Sequence, residues 1–225
     1  LRPSLSIIIP TLNEASGIAN ALTALQPLRE RGVQIIVADG GSTDYTLKLA
    51  APKADIVIRC TPGRASQMNA GATHATAPIL LFLHADTILP PLADAIVFGA
   101  LNGEPGWGRF DVRITGTHPM LKVVAMLMNV RSRLTAIATG DQAIFISRSL
   151  FDEVAGFPNQ PLMEDIELCK RLRQLRRPVC LFAKVETSGR RWETRGVWKT
   201  ILLMWRLRWR YWRGVPATEL TKEYQ

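Results

Sequence analysis

Eight acidic residues stand out along the sequence, several of them where an apolar run gives out: Glu14, Asp39, Asp44, Asp86, Asp111, Asp141, Glu164 and Asp165. The stretch LLFLHADT, Leu80 to Thr87, shows the pattern most compactly, ending on His84 and Asp86. Residues two apart on a strand share a face, so an imidazole and a carboxylate stand side by side. Such a pair suits a divalent cation or a phosphate, because hard oxygen ligands hold the former and positive charge offsets the latter. The plain alternative is that polar residues simply end or cap the strand. Glu164 and Asp165 precede the helical IELCKRL, where acids complement the helix dipole whether or not they do chemistry. The loop before them, GFPNQPLM, carries two prolines and presents the pair at an exposed lip. Gly63-Arg64 opens another helix, and a guanidinium beside a helix N-terminus suits either a phosphate or solvent.

Several familiar sites are absent. No GxGxxG follows the first strand-like run, no GxxxxGK[ST] occurs, and there is neither a GxSxG nor an HExxH. The elements that must position the acids can be read from periodicity. LSIII (Leu5 to Ile9), VQIIVAD (Val33 to Asp39), ADIVI (Ala54 to Ile58) and ILLFLH (Ile79 to His84) are short apolar runs bounded by turn formers, as buried strands are. Between them lie stretches with apolar residues at helical spacing. Strand and helix in alternation predict a mostly parallel sheet with helices on both faces, and ligands beyond the carboxyl ends of its strands. Those ends carry PTLNE, DGGSTD and HAD, so three segments bring acids to one rim. Farther on, Trp107 to Ile114 and Gln142 to Ser147 read as strands, and His118 to Ile137 and Glu164 to Leu175 as helices. The methionines of MLKVVAMLMNV and the thiols Cys169 and Cys180 read as core packing.

With these residues in view, the chain resembles glycosyltransferase family 2, in particular a small stand-alone bacterial branch. IIIPTLNE, VADGGSTD, GRASQMNAG, FLHADT, GDQAIFISRSLFDEVAGF, MEDIELCKRL and RRW follow in the family's order from about Leu5 to Trp192. The resemblance implies a GT-A fold, an α/β architecture, with a nucleotide-diphosphate sugar donor, Mg²⁺ or Mn²⁺, and inversion at the anomeric carbon. It implies that Pro10, Thr11, Asn13, Glu14 and Gly40 line the nucleotide pocket and that Asp39 accepts from the ring N–H of a base, uracil being favoured. Arg64 would meet a phosphate, Asp86 would hold the metal, and Asp165 would be the general base with Glu164 beside it. Asp141 and Gln142 would face the donor sugar or the acceptor, with a turn role for Asp141 as the alternative. Arg191 would fork onto the diphosphate and Trp192 would wall the acceptor. Two positions depart from the family pattern. His84 stands where the first acid of DxD is usual, either as a metal or phosphate contact or as packing, and Ser188 replaces the glutamine of QxxRW.

Composition bounds the rest. The 225 residues are 47% hydrophobic and 21% charged, ordinary values for a folded chain. Three cysteines without metal-finger spacing and the lack of a signal-like or spanning apolar run predict a cytoplasmic protein. The net charge of +9 suits a polyanionic partner. It concentrates in Gly196 to Gly214, where Lys199, Arg206, Arg210 and Arg213 form one stripe and Arg208 stands apart. The broad remaining face holds Trp198, Ile201, Leu202, Met204, Trp205, Trp209 and Trp212. This is the organisation of a helix lying in a lipid headgroup layer, of a helix docked on its domain, or of a dimer contact. The expected division is a catalytic domain over 1–195 and a basic, Trp-rich extension over 196–225, with possible use of the extension to reach a lipid-linked acceptor. Three other readings compete: a nucleotidyltransferase on a related scaffold, a non-catalytic nucleotide-sugar binder, and a nucleic-acid-binding protein using the tail. The last leaves the acids at the strand ends unexplained, so no nucleic acid is expected.

Overall fold

The computed structural model describes residues 3–224; residues 1, 2 and 225, at the outer ends of the two expected segments, lie outside the described residues. The chain begins with β1 (Leu5–Thr11), α1 (Ile18–Glu30), β2 (Gln34–Asp39), α2 (Thr46–Ala50), β3 (Ile56–Arg59), α3 (Arg64–His74) and β4 (Ile79–Phe82). Along β1 the isoleucines alternate between two cores, Ile7 and Ile9 facing one and Ile8 the other, all fully buried. Burying each is worth about 1.5–3 kcal/mol. That is why the run has no polar face and must lie at the centre of a sheet. The helix α3 packs so closely that a Cβ at Gly71 would overlap the side chain of Ile8.

The second half comprises β5 (Thr87–Ile88), α4 (Ala93–Leu101), β6 (Trp107–Thr115), α5 (Met120–Thr135), β7 (Phe145–Ser147), α6 (Arg148–Glu153), α7 (Glu164–Leu175), β8 (Val179–Ser188), α8 (Arg190–Arg195), α9 (Val197–Trp212) and α10 (Ala217–Tyr224). The eight strands form one sheet in the order β3-β2-β1-β4-β7-β6-β8-β5. Strands β1 to β4 pair in parallel, β7 turns antiparallel against both β4 and β6, and β8 returns parallel to β6. The mostly parallel sheet expected from the alternating pattern is therefore present. Helices α1, α4 and α5 contribute to the core on one face, and α3, α6 and α7 to the core on the other.

Two local readings are corrected. The strand expected from Gln142 covers only Phe145–Ser147, because Gly140–Gln142 winds into a 3₁₀ turn in which the Gln142 N–H donates to the Thr139 carbonyl and the Gln142 side-chain oxygen accepts from the Thr139 N–H. Strand β8 escaped the periodicity reading, since Lys184 and Glu186 interrupt its apolar residues while its backbone pairs with β6. Helix α9 gives Val197 to one core and Leu207 to the other, and α10 adds Leu220.

Candidate active site

From β1 the chain proceeds to β2 and β3 on one side, while β4 lies on β1's other side. The sheet order thus reverses between β1 and β4, and at such a switch point the loops leaving the strands diverge and open a crevice. Glu14 follows β1 and Asp86 follows β4, and both line a cavity of about 830 Å³ at that position. Arg64, His84, Asp141, Glu164 and Asp165 line it too, as do Pro10, Arg191 and Trp192. Residues from six separated segments therefore share one cleft. Burial, and next the charge of Asp86, push the pKa of Glu14 above its ordinary value, with Arg190 pulling the other way.

Thr11, Asn13, Asp39, Gly40 and Gln142 do not reach the cavity wall. Asp39 is fully buried and its carboxylate is already occupied. One oxygen accepts from the backbone N–H groups of Gly41 and Ser42, each at 2.9 Å, and the other from the hydroxyls of Ser42 and Thr11. A carboxylate offers about four acceptor positions, so none is left for a ring N–H in this geometry. Asp39 holds the loop after β2 instead. Asn13 ties the same loop to the one after β1, through Ser42 and Thr43. Asp44 does likewise by accepting from the N–H of Ala15. Gln142 is buried and donates to Ser132 and Asn129. Asp111 is equally remote, buried in an ion pair with Arg109 and Arg133.

His84 donates from Nδ1 to Asp141, 3.2 Å away. Its other edge lies against Gly140, where a Cβ would overlap Nε2 and Cε1. Burial disfavours the charged ring, yet the hydrogen bond and charge of Asp141 prevail and the pKa of His84 is raised. Asp141 is held below its ordinary value against burial, chiefly by His84. With Nδ1 engaged by Asp141 and the Nε2 edge packed against Gly140, His84 is placed as the partner of Asp141, two residues from Asp86, with neither ring nitrogen directed at a cation beside Asp86.

Arg64, the first residue of α3, approaches Glu164 at 3.4 Å. Glu164 is almost completely buried, and burial together with the neighbouring Asp165 raises its pKa. Asp165 accepts from the N–H of Gly140 at 3.0 Å and from that of Ile166 at 2.8 Å. The side chain is thereby fixed between the 3₁₀ turn and the start of α7. Arg191 stacks on the ring of Tyr224 at 3.9 Å and bonds its hydroxyl, and Arg190 reaches Ser16 at 3.2 Å.

The remainder of the wall was not foreseen. On α5, Met120, Val123, Val124, Leu127 and Met128 face the cavity; of the methionines read as core packing, Met120 and Met128 pack on the core and also line the cavity, whereas Met126 is exposed. Opposite them stand Trp198, Ile201, Met204 and Trp205 of α9. Arg131 and Arg208 complete the two rows. The one hint in the sequence was that Arg208 falls off the basic stripe of its helix. That stripe itself is partly neutralised, with Arg206 and Arg210 both paired to Glu223. Cys169 is buried as expected, whereas Cys180 is only half-buried.

Among the described residues, no three His, Cys, Asp or Glu side chains converge as a metal cage. Among the described residues the carboxylate of Asp86 nonetheless accepts one hydrogen bond, from Thr87 at 3.4 Å, and Glu14 is close enough to feel its charge. One or two carboxylates completed by phosphate oxygens are the usual protein share of a Mg²⁺ site in phosphate chemistry. The residues fit a cation that arrives with a diphosphate and do not fit a preformed cage.

A model of glycosyl transferase family 2 matches residues 6–147. Over 94 residues the chain is 40% identical to a PGL/p-HBAD biosynthesis glycosyltransferase of Mycobacterium bovis strain BCG, an overlap of 39% of this chain and 37% of that one. The chain thus matches little more than a third of that relative's length. Among solved structures, S. aureus TarS in complex with UDP superposes with a TM-score of 0.67 at 18% identity, covering 82% of this chain and 60% of that one. A mannosyltransferase from Pyrobaculum calidifontis, solved with GDP-Man and Mn²⁺, gives 0.62 at 20% identity over 83% and 57%. At these identities the likeness establishes the GT-A fold.

Proposed function

The chain belongs to glycosyl transferase family 2, and from that premise we propose that it moves a sugar from a nucleoside-diphosphate donor to an acceptor hydroxyl with inversion, assisted by a divalent cation. The observation that carries this reading is the convergence of Glu14, Asp86, Arg64, Glu164 and Asp165 in one cleft at the switch point of the sheet. Nucleotide, nucleotide-sugar and Mn²⁺ complexes of proteins with this fold support it.

In this mechanism the diphosphate lies against Arg64, Arg190 and Arg191, whose guanidiniums offset its charge as the bond to the sugar weakens. Asp86 would hold the cation, which when bound would supply Lewis-acid stabilisation of the departing nucleoside diphosphate. Asp165 takes the proton of the acceptor hydroxyl while that oxygen bonds to the anomeric carbon from the face opposite the leaving group. The bond from that carbon to the diphosphate breaks and its electron pair leaves with the nucleotide. The backbone bonds to both oxygens of Asp165 fix the orientation of the carboxylate. His84 and Asp141 brace the turn that supplies one of those N–H groups.

Thermal shift across UDP- and GDP-sugars, with and without Mn²⁺, identifies the donor, because a ligand bound only to the folded state raises Tm. Metal-dependent nucleotide release from the stabilising sugar confirms transfer chemistry. Stabilisation without release in the presence of metal would leave a binder rather than an enzyme.

Among the described residues no helix is long and apolar enough to cross a membrane. Peripheral contact through 196–214 is part of the proposal. Trp198, Leu202, Trp205, Trp209 and Trp212 are all more than half exposed, and α9 contains no acid.

A further inference from the structure

Arg131 and Arg208 have no role in the mechanism above. Neither forms an ion pair among the described residues, and Nε and Nη2 of Arg131 are buried with no hydrogen-bond partner. Burial pushes both pKa values down, Arg131 to about 10 with Arg208 as the next cause, and a guanidinium stays protonated at neutral pH. Asp165 attracts both but pairs with neither. Two neighbouring half-buried like charges, one with buried donors left unpartnered, form an incomplete arrangement, because an unpaired desolvated cation is strongly unfavourable. An anion would complete it.

Their location indicates what else that anion carries. On α5 the cavity-facing row is Met120, Val123, Val124, Leu127, Met128 and then Arg131. On α9 it is Trp198, Thr200, Ile201, Met204, Trp205 and then Arg208. Apart from Thr200, each row is apolar for about 10–12 Å at 1.5 Å per residue before it ends in arginine. The arginines lie at the Asp165 end. Outside the cavity the apolar surface continues through Met126 and Val130 of α5 and Leu202, Trp209 and Trp212 of α9, all exposed.

We propose that this helical arm is the acceptor site and that its occupant is an anionic lipid drawn from a membrane. The apolar chain lies between α5 and α9, the anionic group sits on Arg131 and Arg208, and the hydroxyl to be glycosylated is presented to Asp165. This rests on the glycosyltransferase reading for the hydroxyl's fate, but the site itself does not need donor or metal.

The test uses the full chain without either. Tryptophan fluorescence, with Trp198 and Trp205 in the groove wall, follows titration with dodecyl phosphate, uncharged dodecyl maltoside and inorganic phosphate. Dodecyl phosphate is expected to bind at least tenfold more tightly than either of the others. Arg131→Gln and Arg208→Gln should each weaken it by roughly tenfold to a hundredfold, the effect of losing one hydrogen bond to a charged group. Arg131→Lys should recover part of the loss, and the exposed, distant Lys48→Gln should change nothing. The glutamine variants should melt no lower than the parent, since each removes an unpaired desolvated charge. Equal affinity for the uncharged amphiphile, or indifference to both glutamine variants, overturns the site. So does a glutamine variant that weakens UDP–Mn²⁺ or GDP–Mn²⁺ binding while leaving dodecyl phosphate untouched, because the arginines would then serve the donor. Vesicles decide the source: pelleting with phosphatidylglycerol but not phosphatidylcholine is expected. Binding of dodecyl phosphate without pelleting would overturn the membrane origin in favour of a soluble anion. Failure of nucleotide release with these binding results intact would count against the transferase reading alone.

Discussion

Replacing Asp165 by asparagine is the sharpest test of the mechanism, because the structure separates its effect on the fold from its effect on chemistry. Both carboxylate oxygens accept a backbone N–H, from Gly140 and from Ile166. Asparagine keeps one acceptor and turns an NH₂ toward the other donor. One of the two bonds is lost, at a cost of about 1–2 kcal/mol. For a chain of this size each kcal/mol lowers Tm by roughly 2–4 °C, so the variant should melt about 2–8 °C lower and stay folded at 25 °C. The chemical effect is larger. A general base contributes about 10²–10⁴-fold, or roughly 3–5 kcal/mol at 1.36 kcal/mol per decade. Nucleotide release at 25 °C should therefore fall by at least a hundredfold. The Tm increase produced by nucleotide and Mn²⁺ should persist, since Asp165 is not assigned to the donor. Near-normal turnover would refute the base assignment. Loss of donor stabilisation together with turnover would show instead that Asp165 belongs to the donor site.

Asp86→Ala should abolish the Mn²⁺-dependent part of nucleotide stabilisation, read by thermal shift with and without metal, and retained metal dependence would remove Asp86 from the cation's ligands. For Glu164 the folded pKa is raised, so ionisation in the fold is disfavoured; its stability contribution is complete below about pH 4.5 and lost as pH rises through the folded value. Glu164→Gln should accordingly gain on the parent in Tm as pH increases from 4.5 toward neutrality, and a gap that shrinks over that range would contradict the burial argument. In α9, Leu202→Glu combined with Trp212→Glu places charge on the exposed face without touching the docked Val197 and Leu207; sedimentation with phosphatidylglycerol vesicles should drop severalfold while Tm stays within about 2 °C. Unchanged pelleting would remove α9 from the membrane contact.

The strands and the acids at their ends were readable because those signals are local. A run such as SIII carries no polar face, and PTLNE or HAD supplies turn residues directly after a strand whose direction the alternating pattern sets. Right-handed crossovers then deliver Glu14 and Asp86 to the same edge without further information. Arg64 and the Glu164–Asp165 pair were legible for the same reason, as first-turn residues of recognisable helices.

What local signals do not carry is which way a polar side chain turns and what meets it there. Asp39 ends β2 and Asp86 follows β4, yet four donors from the adjoining loop and from Thr11 of β1 enclose the first, while the second is left open. His84 read as a ligand until a turn 57 residues away offered Asp141 to its Nδ1. The helices α5 and α9 have similar apolar rows, and periodicity says only that each row needs cover. Tertiary packing set the two rows across a cavity from one another, more than 70 residues apart in sequence, and turned Arg131 and Arg208 inward at its end. The amino-acid sequence alone determined the parallel half of the sheet, β1 to β4, and the acids that follow its strands, because backbone propensity and hydrophobic period act over a few residues. Only the folded chain decided which of those acids stay free and what lies opposite them, because burial and pairing depend on surfaces contributed from distant segments.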